Sequence, residues 1–348
     1  MDGLPTSSNE NVSDARFVRS VLIFENTTMK IGLIDIDYKS SFPNLPLMKL
    51  SAWHQRNGDE VVWYDMLAGH CDRVYVAKVF STSADYAQPI DADEVVYGGT
   101  GYQIALGNSG KEYFNATPNK LHFLQQLPQE IEHIYPNYSL YPQLTQDKAF
   151  GFLTRGCPRG CTFCHVAAKE GKRSIKVADL TEFWRGQKEI VLCDPNILAC
   201  TDWRDLLEQL RDSSARVNFN QGLDIRMMTE DRAELLSTCK IDAVHFAWDR
   251  WQDKDLIIPK FEMYRKAIER KRKWVMNGDV AVYVLTNFDT TFEQDLQRIY
   301  MLRDLGYYAY VMIYDKAHCS KRYKALQRWC NNRYIFSKCP KFENYNNK

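Results

Sequence analysis

Three cysteines, Cys157, Cys161 and Cys164, stand in a C-x3-C-x2-C array within Gly151–Lys172, which reads GFLTRGCPRGCTFCHVAAKEGK. Thiolates at such spacing converge on one metal centre, because a loop turning over three or four residues points its side chains inward. Gly156 and Gly160 supply the backbone freedom that the wrap needs, and Pro158 keeps the loop out of regular structure. Two chemistries suit three thiolates. A structural zinc site requires a fourth ligand, for which Cys193 is available, whereas His165 directly follows Cys164 and is poorly placed to share its metal. An iron–sulfur site with only three protein ligands leaves one coordination position open for a small molecule.

The loop is preceded by an apolar run, Phe150–Leu153, and from about Asp147 onward strand and helix patterns alternate. Strands are expected at 149–153, 189–192, 216–219, 243–247, 279–285 and 308–313. Helices are expected at 179–185, 203–211 (N-capped by Thr201 or Asp202), 229–238, 259–276 and 291–305. Such repetition forces parallel strands and right-handed crossovers, and predicts a curved, partial (β/α)6 TIM barrel. Active sites of parallel barrels lie at the C-terminal ends of the strands. The polar residues here fall at those ends: the cysteine loop, Asp194 and Asn196, Asn220, Asp224 and Arg226, Asp249, and Asn287. Glu293, Asp295 and Asp304 read as a solvated helix face.

Upstream, Met29–Asp37 is a buried-strand pattern, Pro43–Gly58 a helix, and 60–64, 73–76 and 94–97 are further strands. This pattern fits a small flavodoxin-like (Rossmann-like) α/β unit. Gly98-Gly99-Thr100-Gly101 reads as a turn rather than a phosphate cradle, since no clear helix follows it. The expected organisation is an extension over 1–28, a flavodoxin-like domain over 29–125, and a proline- and tyrosine-bearing linker over 126–146. A barrel over 147–315 and a basic, aromatic segment over 316–348 complete it.

The 348 residues suit two domains, and 45% hydrophobic content supports a core. A net charge of +1 provides no global field toward nucleic acid or membrane. No run of about 18 apolar residues exists, so no transmembrane helix is expected. Residues 1–28 lack the pattern of a signal peptide. Ten cysteines without such a signal argue for a reducing, cytoplasmic setting, and isolated ones read as small buried hydrophobes. Cys319, Cys330 and Cys339 are spaced too widely for a compact ligand loop.

The C-x3-C-x2-C loop at the end of a first barrel strand resembles the radical S-adenosylmethionine (SAM) superfamily, and the aromatic Phe163 before the third cysteine matches that family's motif. The resemblance covers roughly 147–315. It implies that Cys157, Cys161 and Cys164 hold a [4Fe–4S] cluster whose fourth iron is chelated by SAM. It further implies reductive cleavage of SAM to a 5′-deoxyadenosyl radical, and an external electron donor of flavodoxin or ferredoxin type. The implied cofactor-binding residues are Phe163, Asp194, Asn196, Asn220, Gly222, Asp224 and Arg226, with Arg226 toward the SAM carboxylate and Asp224 or Asn220 toward the ribose. The 29–125 unit resembles cobalamin-binding domains of the same family. Its strand end reads Asp35-Ile36-Asp37-Tyr38-Lys39-Ser40, without the His and Gly of D-x-H-x-x-G, so the resemblance implies no His-ligated cobalamin. The substrate is not specified. Lys260–Lys273 and Lys316–Lys341, the latter with Tyr323, Trp329, Tyr334 and Phe336, read first as solvated faces, since acidic residues elsewhere cancel the net charge, and they also admit RNA as a substrate or a zinc-stabilised nucleic-acid-binding protein without catalysis.

Overall fold

The computed structural model describes residues 28–106, 112–120, 122–274, 276 and 280–345. The expected extension over 1–28 therefore lies outside the described residues except at Thr28. Two parallel sheets organise the chain.

Lys30–Asp35 (β1) buries Ile31, Leu33 and Ile34, which lie on both of its faces, as a central parallel strand does. It pairs in parallel with Glu60–Trp63 (β2) and Cys71–Ala77 (β3). Ala92–Gly98 (β4) and Phe123–Leu124 (β5) extend the sheet. The spatial order β2-β1-β3-β4-β5 is that of a flavodoxin-type sheet. Leu45–Arg56 (α1) makes the first crossover, capped by the Asn44 side chain, which accepts from the Leu47 N–H at 3.2 Å. Its Leu47 and Leu50 bury against Ile31, Leu33, Tyr75 and Ala77. The other face is covered by loop residues, among them Tyr86 and Ile90. The glycine stretch is not the plain turn expected: Gly98 ends β4, Gly99 bends the chain at φ +104°, where a Cβ would stand 2.2 Å from the Lys78 carbonyl oxygen, and one turn of helix, Thr100–Gln103, follows.

Residues 126–146 are less irregular than expected, with short turns of helix at Gln129–Glu132, Tyr138–Leu140 and Pro142–Thr145. They also tie the sheets together. The Tyr141 hydroxyl donates to Asp35 at 2.6 Å, and the Tyr138 hydroxyl accepts from the Phe150 N–H at 3.1 Å.

The second sheet contains Lys148–Gly151 (β6), Glu189–Leu192 (β7), Arg216–Leu223 (β8), Ile241–Ala247 (β9), Val280–Thr286 (β10) and Tyr308–Ile313 (β11). All pairs are parallel and neighbours in space are neighbours in sequence. After Val166–Glu170 (α2), a short helix in the cysteine loop, the crossovers are Trp203–Ser213 (α3), Glu230–Thr238 (α4), Lys254–Glu269 (α5) and Phe292–Asp304 (α6). One apolar core runs between strands and helices, built from residues such as Ile190, Val217, Val244, Val282, Leu206, Phe261 and Ile299.

Four expectations are corrected. The helix at 179–185 is a single 3-10 turn, Leu180–Glu182, because Glu182 folds back to accept from the Asp179 N–H and Gly186 turns the chain at φ +95°. The long basic helix starts at Lys254, before Pro259, because Ile257, Phe261, Tyr264 and Ile268 form one buried stripe; it ends at Glu269, before the Arg270–Lys273 charge run. The third strand continues to Leu223 through a register shift after Phe219, so Asn220 and Gly222 lie inside the strand. Asp295 is not on a solvated face: it and Arg298 form a fully buried ion pair at 2.5 Å.

The basic C-terminal segment folds as Lys321–Asn331 (α7) and Arg333–Lys338 (α8). Tyr323, Trp329 and Phe336 are buried in the core against β11, and only Tyr334 of the four expected nucleic-acid aromatics is exposed. The Asn331 side chain accepts from the Val311 N–H at 2.7 Å and donates to its carbonyl at 3.0 Å, so it satisfies backbone groups of the edge strand.

Candidate functional site

The cysteine loop leaves β6 and is closed at its neck. Thr154–Arg155 pairs antiparallel with Ile175–Lys176, and the Cys157 N–H donates to the Gly171 carbonyl at 3.1 Å. Gly156 makes the turn at φ +84°, where a Cβ would lie 2.1 Å from the Arg173 carbonyl oxygen. Glu170 braces the same turn, accepting from the Gly156 N–H and from Arg155, each at 3.1 Å. The loop thus has a rigid base and carries its thiols above the end of β6. The Cys161 thiol is pushed up by burial, against the pull of Arg226, and further by Asp249 and then the Cys164 and Cys157 thiols. Among the described residues no three His, Cys, Asp or Glu side chains already stand at metal-holding distance.

Asp194 lies beneath the cysteine loop, against its backbone. It is only 4% exposed, and its carboxylate accepts from the Leu153 N–H, the Thr154 N–H and the Thr154 hydroxyl, the last two at 2.5 and 2.7 Å. It fastens the start of the loop to the end of β7. Burial pushes its pKa up to about 6, against these hydrogen bonds.

Asn196, two residues on, does reach the thiols. Its Nδ2 lies 3.4 Å from Cys157 Sγ and 3.3 Å from Asp224 Oδ2, and its Oδ1 is buried without a partner. Asp224 lies between two guanidinium groups, Arg159 of the loop at 2.5 Å and Arg226 at 2.7 Å. Burial raises the Asp224 pKa, but the two arginines outweigh it and hold the carboxyl below its ordinary range. Arg226 has a second partner in Asp253 at 3.2 Å, so a ligand carboxylate there would join an occupied ion-pair network.

Gly222 takes φ +94° inside β8, with room for a Cβ only 3.2 Å from the His245 carbonyl oxygen. Asn220 is half-buried on the same strand. Phe163 packs edge-on against Phe288 at 5.3 Å, and Phe288 against Tyr314 at 4.6 Å, which links the cysteine loop to the ends of β10 and β11. Asp249 is pushed up to about 6 by burial, partly offset by Arg298 and Arg226. Asn287, at φ +61°, donates its N–H to Asp295 at 3.1 Å.

Sequence reasoning missed Arg159, Glu170, Asp253, Phe288 and the Asp295–Arg298 pair. Arg159 had a signal, its place between two of the cysteines; the others gain their roles only from tertiary contacts. Cys319, Cys330 and Cys339 do not gather: each thiol contacts a different backbone carbonyl, of Lys316, Ala309 and Lys341. The loop also meets the first sheet's unit, through Lys169 Nζ donating to the Thr100 hydroxyl and through His165 at 3.8 Å from Glu112.

No protein-family model matches the chain. No curated protein matches it. Solved structures do. The radical SAM methyltransferase TsrM from Kitasatospora setae with cobalamin and a [4Fe–4S] cluster bound aligns at TM-score 0.54 and 12% identity, over 82% of this chain and 75% of that one. TsrM with tryptophan substrate and the SAM analogue aza-SAM aligns at TM-score 0.57 and 12% identity, over 82% and 72%. At that identity the shared property is the fold, an α/β chain with parallel sheets.

Proposed function

We propose that the protein is a radical SAM enzyme in which Cys157, Cys161 and Cys164 hold a [4Fe–4S] cluster. The observation that carries this reading is the position of the three-thiol loop, braced above the end of the first of six parallel strands and bound through Arg159 and Asn196 to the end of the third. The donor set fits the group: three soft thiols on one glycine-turned loop, with an amide N–H at the Cys157 sulfur. With cluster and SAM bound and an electron supplied by a flavodoxin- or ferredoxin-type donor, the chemistry is reductive cleavage of the sulfonium to a 5′-deoxyadenosyl radical.

In this reading Asp194 and Glu170 hold the loop base, Phe163 packs it onto Phe288, and Arg159, Asp224 and Arg226 form the polar wall beside it. The six strands act as an open barrel over 147–315, with the flavodoxin-type unit over 29–125 as a separate domain. Cobalamin held by a histidine does not fit that unit. Residues 35–40 contain no imidazole, and the Asp37 carboxylate is buried, accepting from the Val79 N–H at 2.6 Å and the Ser83 hydroxyl at 2.5 Å.

Anaerobic reconstitution tests the proposal. About four iron and four sulfide per chain are expected, lost in the Cys157→Ala, Cys161→Ala, Cys164→Ala variant. One zinc and no iron would instead identify a zinc-stabilised protein, and salt-dependent RNA binding would then be its first activity to measure.

A further inference from the structure

Asn196 is 1% exposed, at the end of β7 and facing the cysteine loop. Its backbone carbonyl accepts from the Ser174 hydroxyl at 2.8 Å, so the residue is fixed on the far wall of the loop. The side-chain amide lies between two groups that can only accept when ionised: the Cys157 sulfur at 3.4 Å and the Asp224 carboxylate at 3.3 Å. This settles the orientation, because a flipped amide would set its oxygen against both. The oxygen is left buried without a partner. Such a group carries a desolvation cost that an apolar residue of similar shape would avoid. The presence of an amide here therefore points to what its nitrogen contacts.

We infer that Asn196 is a positioning residue that tunes the reduction potential of the cluster through an N–H···S bond to Cys157; this rests on the cluster reading above. A thiolate-bound cluster is anionic and gains one negative charge on reduction. An N–H aimed at a ligand sulfur stabilises the reduced form more than the oxidised one and raises the potential. The second N–H holds Asp224, whose charge beside the cluster acts in the opposite direction and is already compensated by Arg159 and Arg226.

The test is a redox titration of the anaerobically reconstituted full-length protein, followed by electron paramagnetic resonance of the reduced cluster. Asn196→Leu keeps the shape and removes the donor. Asn196→Asp replaces donors by acceptors in the same space. At the potential where half the wild-type cluster is reduced, the reduced-to-oxidised ratio is expected to fall about tenfold in Asn196→Leu, equivalent to about 59 mV for one electron, and further in Asn196→Asp. A structural role would lower cluster content and leave the potential of the remaining cluster in place. If Asn196→Leu assembles no cluster, Asn196→Asp gives the reading. Variants that titrate with the wild type overturn the inference while the cluster reading stands. Wild-type protein that takes up no iron overturns both.

Discussion

The Arg159 guanidinium and the Asp224 carboxylate meet at 2.5 Å, and this contact joins the cysteine loop to the end of the third strand of the larger sheet. Asp224 is nearly buried and bears two arginines and the Asn196 amide, so it is the common node of the site.

Removing the node should therefore cost more than removing one of its arms. Asp224→Ala is expected to lower stability by about 2–4 kcal/mol in denaturant unfolding, because it leaves Arg226 and Asn196 facing each other without a shared acceptor. Arg159→Ala, whose side chain is partly exposed, is expected to cost about 1 kcal/mol. Equal losses would show that the network is not centred on Asp224.

The turn at Gly156 supports a second prediction. Gly156→Ala adds both a disfavoured positive φ and a clash with the Arg173 carbonyl, and should lower iron uptake to below about one third of wild type. Gly160→Ala meets nothing within 4 Å and should retain most of it, at a cost of about 1 kcal/mol for its positive φ. Similar iron content in the two variants would contradict the rigid loop base.

Asp194 predicts a pH dependence. Its pKa is raised from 3.8 to about 6 in the folded state, by burial first. The folded state thus binds the proton more tightly than the unfolded chain, and the group's contribution to stability falls as pH rises from about 4 to about 6 and is constant above. Asp194→Asn removes that slope. The variant should gain on wild type by on the order of 1–3 kcal/mol between pH 4 and pH 7, read by urea midpoints. A constant difference across that range would mean that Asp194 ionises in the fold as it does in water.

The buried Asp295–Arg298 pair holds the strand ends. Arg298 donates to the Trp248 and Leu285 carbonyls, which close β9 and β10 beside Asp249 and Asn287. Arg298→Met alone should cost about 3–5 kcal/mol, since it leaves a buried carboxylate, whereas Asp295→Leu with Arg298→Met should recover part of that loss. Additive losses in thermal unfolding would argue against a coupled pair.

These cases mark what could be read from the residues. The strands of the larger sheet, the loop and its cysteines follow from local period and spacing, because a buried strand and a turn of glycines are written in adjacent residues. Asp295 shares its helix with the charged Glu293 and Asp304, which the structure leaves exposed, so sequence alone groups the three as a solvated face; its partner lies three residues on, and only the packing of the helix on the sheet turns both inward. Basic residues around Trp329 and Phe336 suit a solvated face or a nucleic-acid surface in sequence, whereas arginines such as Arg303, 3.6 Å over the Phe336 ring, line the rim of a core. Asp194 and Asn196 stand two residues apart in sequence, but one faces the loop backbone and the other a thiol, a division set by the turn after β7.

The most direct measurement of the central claim is SAM turnover by the reconstituted, reduced protein, with products separated and quantified. The account predicts 5′-deoxyadenosine from wild type at several times the background of the reductant and none above that background from Cys157→Ala. A protein carrying four iron and four sulfide that releases no 5′-deoxyadenosine from bound SAM would contradict it.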